Sequence, residues 1–349
     1  MQDACSWFNP TVATVCYGMN DGQYRKPSDR TSANYRNGLR KIASWMNQNQ
    51  VRLLISSPGA VDTTTFRRLR PEDYNQTLSV LGGIAKETAA ESHAEFADLH
   101  SLLLEVMRKA KAKYGDSYHV CGQDGIHPAR NGHLVMAYSM LKGLGMDGQI
   151  AEIKMDYPSG KTQVSAGHKV VRSERGRVTL ASTRWPFCFW PAPSKPNPSS
   201  ETTILPFLPF NQDLNRFILK VSNLPSSGAE VQFGSGNFHY FSREDLEKGV
   251  NLSEFFQGKD NAFHMVTNDL YRKIREKQMF ETRLFRQYQT GLRAALPNLE
   301  KRSADVVNAC AVIQKELKSD WKKMEDSIKK TVETPHQYTI TIRPVERKQ

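Results

Sequence analysis

The stretch Thr11-Val12-Ala13-Thr14-Val15-Cys16-Tyr17-Gly18-Met19-Asn20-Asp21 joins a strand pattern to a polar loop. Its first seven residues are mostly β-branched or apolar and end at a glycine, which is typical of a buried parallel strand that opens into a loop. Gly18 permits a sharp turn, and Asn20 then offers an amide donor. Because ligands bind at the carboxyl ends of strands in open α/β sheets, this stretch predicts an α/β fold and a site.

Two interpretations of Asn20 remain open from the residues alone. An amide aimed at a developing oxyanion stabilises it, and removing such a donor costs about 10²–10³ in turnover. The alternative is structural, with Asn20 and Asp21 capping the next helix or forming an Asx turn.

A second motif, Asp124-Gly125-Ile126-His127-Pro128, lies about a hundred residues later. An Asp three residues before a His can accept a hydrogen bond from one ring nitrogen and leave the other free as a base. Pro128 restricts His127 to an extended or turn conformation, so the imidazole is expected on a loop. Residues 132–141 then predict a helix with an apolar face. This longer pattern is more specific than an isolated Asp-x-x-His, for which a surface histidine would be the default.

The residues between the two motifs alternate between helix and strand patterns. This order, with short connections, predicts a parallel sheet covered by helices on both faces. The predicted helices are 28–47, 71–93 and 102–114, and the predicted strands are 51–58 and 96–99.

On these motifs, residues 1–146 resemble the SGNH (GDSL-type) hydrolases, in which Gly-x-Asn-Asp follows the third strand and Asp-x-x-His-Pro precedes the last helix. The resemblance implies a flavodoxin-like three-layer α/β/α sandwich with a parallel sheet. It implies a serine ester hydrolase that removes an acyl group from a carbohydrate or small oxygen ester, with no cofactor and no metal. His127 and Asp124 would be the catalytic base pair, Asn20 an oxyanion donor, and Gly18 and Asp21 would support the oxyanion loop.

The sequence departs from this family at the nucleophile. The family's Gly-Asp-Ser motif and second-motif glycine should lie upstream of Thr11, and residues 2–10 contain neither. We therefore expect a chain truncated at its amino terminus, without the first strands and inactive or impaired. A Gly-Asp-Ser sequence does occur at Gly115-Asp116-Ser117, but no apolar strand precedes it. Ser117 is therefore not expected to be the nucleophile, which stays unknown.

The rival function is a non-catalytic glycan-binding or scaffold protein derived from a hydrolase. Relevant to this alternative is an aromatic run, Trp185-Pro186-Phe187-Cys188-Phe189-Trp190-Pro191. Exposed tryptophans can stack on sugar rings, whereas the structural alternative is that these side chains plug a loop onto a neighbouring domain.

Composition limits the other classes. The 349 residues have room for two or three domains, and 39% hydrophobic with 24% charged residues is ordinary for a globular protein. The net charge of +12 accompanies no nucleic-acid reader motif, so no nucleic-acid partner is predicted. The sequence contains no apolar run of 18 residues, so no membrane span is predicted. Five cysteines without Cys-x-x-Cys spacing predict neither a metal site nor a disulfide framework. Localisation is not predicted, because a secreted or periplasmic protein would need a signal peptide ahead of Met1.

Three further regions are predicted after the α/β domain. Residues 147–250 alternate in short runs separated by Gly, Ser and Pro, which indicates a small β-sandwich. Residues 251–334 carry apolar residues at helical spacing, broken at Pro297, which predicts a helical hairpin that also permits a homodimer contact. Residues 335–349 predict a terminal strand that returns to the β-rich region.

Overall fold

The computed structural model describes residues 8–68, 70–284, 286 and 303–346. The chain divides into two compact units. The first unit comprises Met1–Gly148 and Phe189–Asn215, and the second comprises Gln149–Cys188 and Arg216–Gln349.

The first unit is an α/β domain built on a parallel sheet of three strands in the order β1-β2-β3. Helices flank the sheet, so the predicted fold class is confirmed. The strands are β1 Val12–Val15, β2 Arg52–Ser56 and β3 Glu95–Ala97, and the helices are α1 Asp29–Gln48, α2 Pro71–Glu91, α3 Leu99–Tyr114, α4 Arg130–Gly143 and α5 Phe210–Leu214.

The residues of β2 explain why helices cover both faces of this sheet. Successive strand residues point to opposite faces. Leu53 and Ile55 share a buried cluster with side chains of α1 and α2. Leu54 lies on the other face, where a Cβ added to Gly143 of α4 would be 2.6 Å from its Cδ1 atom. A strand that is apolar on both faces therefore fixes the three layers.

Helix α3 begins three residues earlier than its apolar pattern predicts. The side chain of Asp98 accepts a hydrogen bond from Ser101 N at 3.1 Å and caps the helix at that point. The predicted strand 96–99 is correspondingly shorter and ends at Ala97. An N-terminal cap of this kind satisfies a backbone donor that the helix itself leaves unpaired.

Strand β1 lies at one edge of the sheet. Within the part of the chain that the structure describes, it pairs with β2 alone. Val12 is 43% exposed, whereas Val15, at the end nearer the site, is buried.

The second unit contains two sheets whose inward side chains form one core. The five-stranded sheet has the order β10-β9-β12-β7-β6 and the four-stranded sheet the order β11-β8-β4-β5. Alternate residues of both sheets, such as Phe217 of one and Phe233 of the other, belong to the same buried cluster, as in a β-sandwich. The strands are β4 Gln149–Asp156, β5 Thr162–Val164, β6 His168–Glu174, β7 Arg177–Ser182, β8 Arg216–Ser222, β9 Gly228–Phe233, β10 Phe238–Ser242, β11 Val250–Asn251 and β12 His336–Val345.

Strand β12 completes the larger sheet from the carboxyl-terminal end of the chain. It pairs antiparallel with both β7 and β9. Two short helices, α6 Arg243–Lys248 and α7 Leu252–Phe255, precede a pair of long ones, α8 His264–Arg283 and α9 Ala304–Glu333.

Helices α8 and α9 lie antiparallel. Lys273 Nζ donates to Thr331 Oγ1 at 2.7 Å, and Trp321 Nε1 donates to Glu281 Oε1 at 2.8 Å, so later residues of one helix meet earlier residues of the other. Pro297, the predicted break, lies outside the described residues. No helix in the described part of the chain has the length and apolar character needed to cross a membrane.

The aromatic run 185–191 is divided between the two units. In the second unit, Trp185 stacks on Phe263 at 6.2 Å between ring centroids and meets His336 edge-on at 5.1 Å. Phe189 is buried in the first unit, edge-on to Phe210 at 5.3 Å. The prediction of a β-rich region over 147–250 did not anticipate that residues 189–215 pack in the α/β unit.

Candidate active site

The loop after β1 is a tight turn closed by Asp21. Gly18 N donates to Asp21 Oδ2 at 3.0 Å, and Gly22 N donates to Gly18 O at 3.0 Å. Gly18 has a φ of +123°, and a Cβ there would lie 2.3 Å from Cγ of Pro58. A glycine is therefore required, and Asp21 supports the loop from within.

The side chain of Asn20 is oriented by Tyr24. The Tyr24 hydroxyl donates to Asn20 Oδ1 at 2.8 Å, and no described backbone N–H donates to that oxygen, so Asn20 makes no Asx turn. With Oδ1 occupied as an acceptor, Nδ2 is available to donate to a ligand. Tyr24 itself has a φ of +53°, a conformation that is rare for a residue with a bulky side chain.

The loop 122–128 holds Asp124 and His127 as a hydrogen-bonded pair. Asp124 Oδ1 accepts from the backbone N of Ile126 and of His127, both at 3.0 Å. Asp124 Oδ2 lies 2.6 Å from His127 Nδ1. The His127 side chain is 79% exposed, and no described residue contacts Nε2 by a hydrogen bond. One ring nitrogen is thus fixed, and the other faces solvent as a base requires.

The hydrogen bonds to Asp124 keep its carboxyl group ionised. Desolvation acts to raise the pKa of Asp124, but the bonds from the His127 side chain and from the backbone N–H groups of His127 and Ile126 outweigh it. Together they lower the pKa to about 2. The carboxylate is therefore charged at neutral pH and can hold the Nδ1–H tautomer of His127.

Two glycines let this loop close. Gly122 and Gly125 have φ values of +77° and +78°. A Cβ on Gly122 would lie 1.9 Å from His127 O, and one on Gly125 would lie 2.7 Å from Phe66 N. Asp62 N donates to Gly125 O at 3.0 Å, which ties the loop to the segment that follows β2.

Both loops pack on one set of aromatic side chains, here called the aromatic cluster: Tyr24, Phe66 and Tyr74. Ile126 of the second loop and Met19 of the first contact this cluster. Tyr24 stacks on Tyr74 at 5.1 Å, and Phe66 stacks on Tyr74 at 5.6 Å. The Tyr74 hydroxyl also donates to Met19 O. The structure therefore brings the loops that carry Asn20 and His127 onto a common support.

Ser117 lies in the exposed turn that follows α3. In the described part of the chain it makes no hydrogen bond to His127.

Sequence reasoning missed Tyr24 and a buried ion pair beneath the site. Asp62 is fully buried, and its Oδ1 lies 2.8 Å from Lys111 Nζ of α3. Desolvation acts to raise the pKa of Asp62, but hydrogen bonds from Lys111 and Thr64 lower it overall. Nothing local in the sequence marks the ion pair, because Asp62 and Lys111 lie about 50 residues apart along the chain.

The residues that the structure describes contain no group of three or more His, Cys, Asp or Glu side chains that could hold a metal ion. They do contain an acid–histidine pair and an oriented amide, on two loops that pack on the same aromatic cluster. Side chains of these types can take part in general acid–base catalysis and in the stabilisation of an oxyanion.

Residues 3–135 match the model of the GDSL-like lipase/acylhydrolase family. This match confirms the resemblance of the first unit to the SGNH-type hydrolases. No curated protein sequence shows significant similarity to the chain.

Solved structures are similar to this chain at low sequence identity, and the first of the two below shares its fold. A gut microbial diltiazem-metabolizing enzyme is 19% identical with a TM-score of 0.68, over 97% of this chain and 84% of that chain. An acetylxylan esterase from Geobacillus stearothermophilus is 17% identical with a TM-score of 0.32, over 42% of this chain and 67% of that chain.

Proposed function

We propose that the first unit is a serine ester hydrolase that removes an acyl group from a carbohydrate or a similar small oxygen ester. The observation that carries this proposal is the Asp124–His127 pair, at 2.6 Å with Nε2 unengaged among the described residues, on a loop that shares its support with the Asn20 loop. The match of residues 3–135 to the GDSL-like lipase/acylhydrolase family supports the proposal.

In the proposed mechanism, His127 Nε2 removes the proton of a serine hydroxyl as that oxygen attacks the ester carbonyl carbon. Asp124 holds the ring and stabilises the imidazolium. Asn20 Nδ2 donates to the oxyanion of the tetrahedral intermediate. Its collapse breaks the bond to the alcohol, which takes the proton from His127. Water then hydrolyses the acyl-serine by the same steps.

The nucleophile sets the expected activity of this chain. No Gly-Asp-Ser precedes Thr11, and Ser117 lies in an exposed turn. Loss of a serine nucleophile costs about 10⁶ in rate in a serine protease. We therefore propose that the 349 residues alone are inactive or severely impaired.

A carbohydrate alcohol is proposed because of Trp190. This side chain in the first unit is 46% exposed, and an indole face can stack on a sugar ring. The rival, a non-catalytic glycan-binding or scaffold protein, is supported by the missing serine. Trp185 does not support this rival function, because its side chain packs against the core of the second unit.

The test labels an activated serine with a fluorophosphonate and maps the modified residue by mass spectrometry. It compares the chain with an extended protein, defined as the chain plus any residues encoded in frame ahead of Met1. We expect labelling and 4-nitrophenyl acetate turnover only in the extended protein, both lost in His127→Asn and kept in His93→Asn, an exposed control. An extended protein without a labelled serine, or turnover that is indifferent to His127, would support the rival.

We also propose a homodimer through α8 and α9. Large apolar side chains lie on their surfaces, with Met265 77%, Tyr271 62% and Val312 61% exposed. Light scattering across a dilution series should give the mass of two chains. The double substitution Met265→Glu and Tyr271→Glu should give the mass of one, and a monomeric wild type would refute the dimer.

A further inference from the structure

The aromatic cluster carries a cation on its outer face. The guanidinium carbon of Arg68 lies 4.3 Å from the centroid of the Tyr24 ring. The hydroxyl of the same ring donates to Asn20 Oδ1. A positive charge is therefore held one phenol ring away from the amide that is proposed to bind the oxyanion.

This cation has no carboxylate partner in the described part of the chain, and the same holds for Arg25 and Arg67 nearby. The adjacent cations differ from these three. Lys26 and Arg70 both lie near Asp73, at 3.7 and 3.4 Å from its Oδ2. Asp73 is thus shared by two cations, and the three arginines form no ion pair among the described residues.

The other carboxylates near the site are engaged. Asp21 accepts from Gly18 N at 3.0 Å. Asp124 accepts from His127 and from two backbone N–H groups. Neither forms an ion pair with Arg68.

Stacked aromatic rings lie under Arg68. Tyr74 and Phe66 are buried and lie nearly parallel, with 9° between their ring planes. Tyr24 stacks on both, and Arg68 lies on Tyr24. Stacking on an aromatic face limits the freedom of the guanidinium while its N–H groups stay available, and a planar guanidinium matches a carboxylate bidentately.

We propose that Arg68 recognises a carboxylate on the substrate, so that the preferred substrate is an ester of a carboxylate-bearing molecule such as an acidic sugar. This inference rests on the proposed function and names the substrate class of the same site. Arg25 and Arg67 supply additional positive charge around the carboxylate. The opposing interpretation is that Arg68 only covers the Tyr24 ring.

The test uses binding, so it does not depend on turnover. Affinities of the chain for 4-acetamidobenzoate and its neutral isostere 4-acetamidobenzamide are measured by calorimetry or NMR titration. We expect the anion to bind about tenfold more tightly, as a charge-assisted pair would give, and less tightly as salt rises. Arg68→Gln should abolish this preference, and Arg68→Lys should retain part of it.

The matched control is Arg70→Gln, which removes an equal charge from the same loop and should keep the preference. Equal affinity for the two ligands, no measurable binding of the anion, or an unchanged preference in Arg68→Gln would overturn the inference. In the extended protein, the ratio of kcat/KM for 4-acetoxybenzoate to that for 4-acetoxybenzamide should fall about tenfold in Arg68→Gln. If turnover requires His127 but this ratio does not change, the hydrolase proposal stands and the anion site fails.

Discussion

The two loops of the site are held in different ways. The loop 122–128 is fixed mainly from within, because Asp124 accepts one hydrogen bond from Ile126 and two from His127, the second and third residues after it. The Asn20 loop closes itself through Asp21, but the side chain of Asn20 is set by Tyr24, whose ring stacks on Phe66 and Tyr74. The base is thus positioned by local chemistry and the oxyanion donor by long-range packing.

The largest expected effect lies in the locally fixed loop. In the extended protein, His127→Asn should lower kcat at least 10⁴-fold, because it removes the group that accepts and returns the proton. Initial rates with 4-nitrophenyl acetate measure this, and His93→Asn is the control. A loss below tenfold would show that another group is the base.

The next effect tests the donor in the other loop. Asn20→Asp keeps an acceptor for Tyr24 but replaces the amide donor with a carboxylate, so kcat should fall about 10²–10³-fold with little change in KM. The same substitution at Asn37, exposed on α1, should leave both constants unchanged. Equal losses at the two positions would remove Asn20 from the site.

A smaller effect is expected at Tyr24, the residue that orients the side chain of Asn20. Tyr24→Phe keeps the stacked ring but removes the hydroxyl that orients Asn20, so kcat should fall about fivefold to tenfold, as the loss of one hydrogen bond gives. The melting temperature should barely change. Tyr114→Phe at the end of α3, where the ring packs on Tyr118 and Phe207, is the control. If Tyr24→Phe is fully active, packing alone orients the amide.

The smallest effect concerns stability in acid. The pKa of Asp124 in the folded protein, about 2, lies below its ordinary value of 3.8. The stabilisation is therefore fully present above the ordinary value and is lost as pH falls through the folded value. Because the side chain is 53% exposed, solvent screening keeps the effect small. Urea titrations from pH 6 to pH 2 should show a weaker acid dependence in Asp124→Asn, and identical slopes would contradict the hydrogen-bond account.

The elements of the first unit are well predicted from sequence where the signal is local. The apolar spacing of Tyr35, Leu39, Ile42 and Met46 predicts α1, and Tyr35, Leu39 and Met46 are buried in the structure. The Asp124–His127 pairing follows from a three-residue spacing. By contrast, the contact between Tyr24 and Asn20 depends on Tyr74, 50 positions further along the chain, and no local pattern encodes it.

The packing of residues 189–215 in the α/β unit was unpredictable for a related reason. In the sequence, Phe189 and Phe210 are two apolar residues in a Pro- and Ser-rich stretch. Only the tertiary contact between their rings shows that they belong to the core of the first unit. Sequence patterns report the period of an element and not its partner. Residues 189–215 were therefore predicted as part of the β-rich region, together with the strands predicted on either side of them.

The most direct test of the central claim is a crystal structure of the extended protein with a phosphonate bound to its serine. We predict that Asn20 Nδ2 donates to the phosphoryl oxygen and that His127 Nε2 lies within hydrogen-bond distance of the serine oxygen, about 3 Å in each case. An adduct in which either group points away, beyond the reach of a hydrogen bond, would contradict the account.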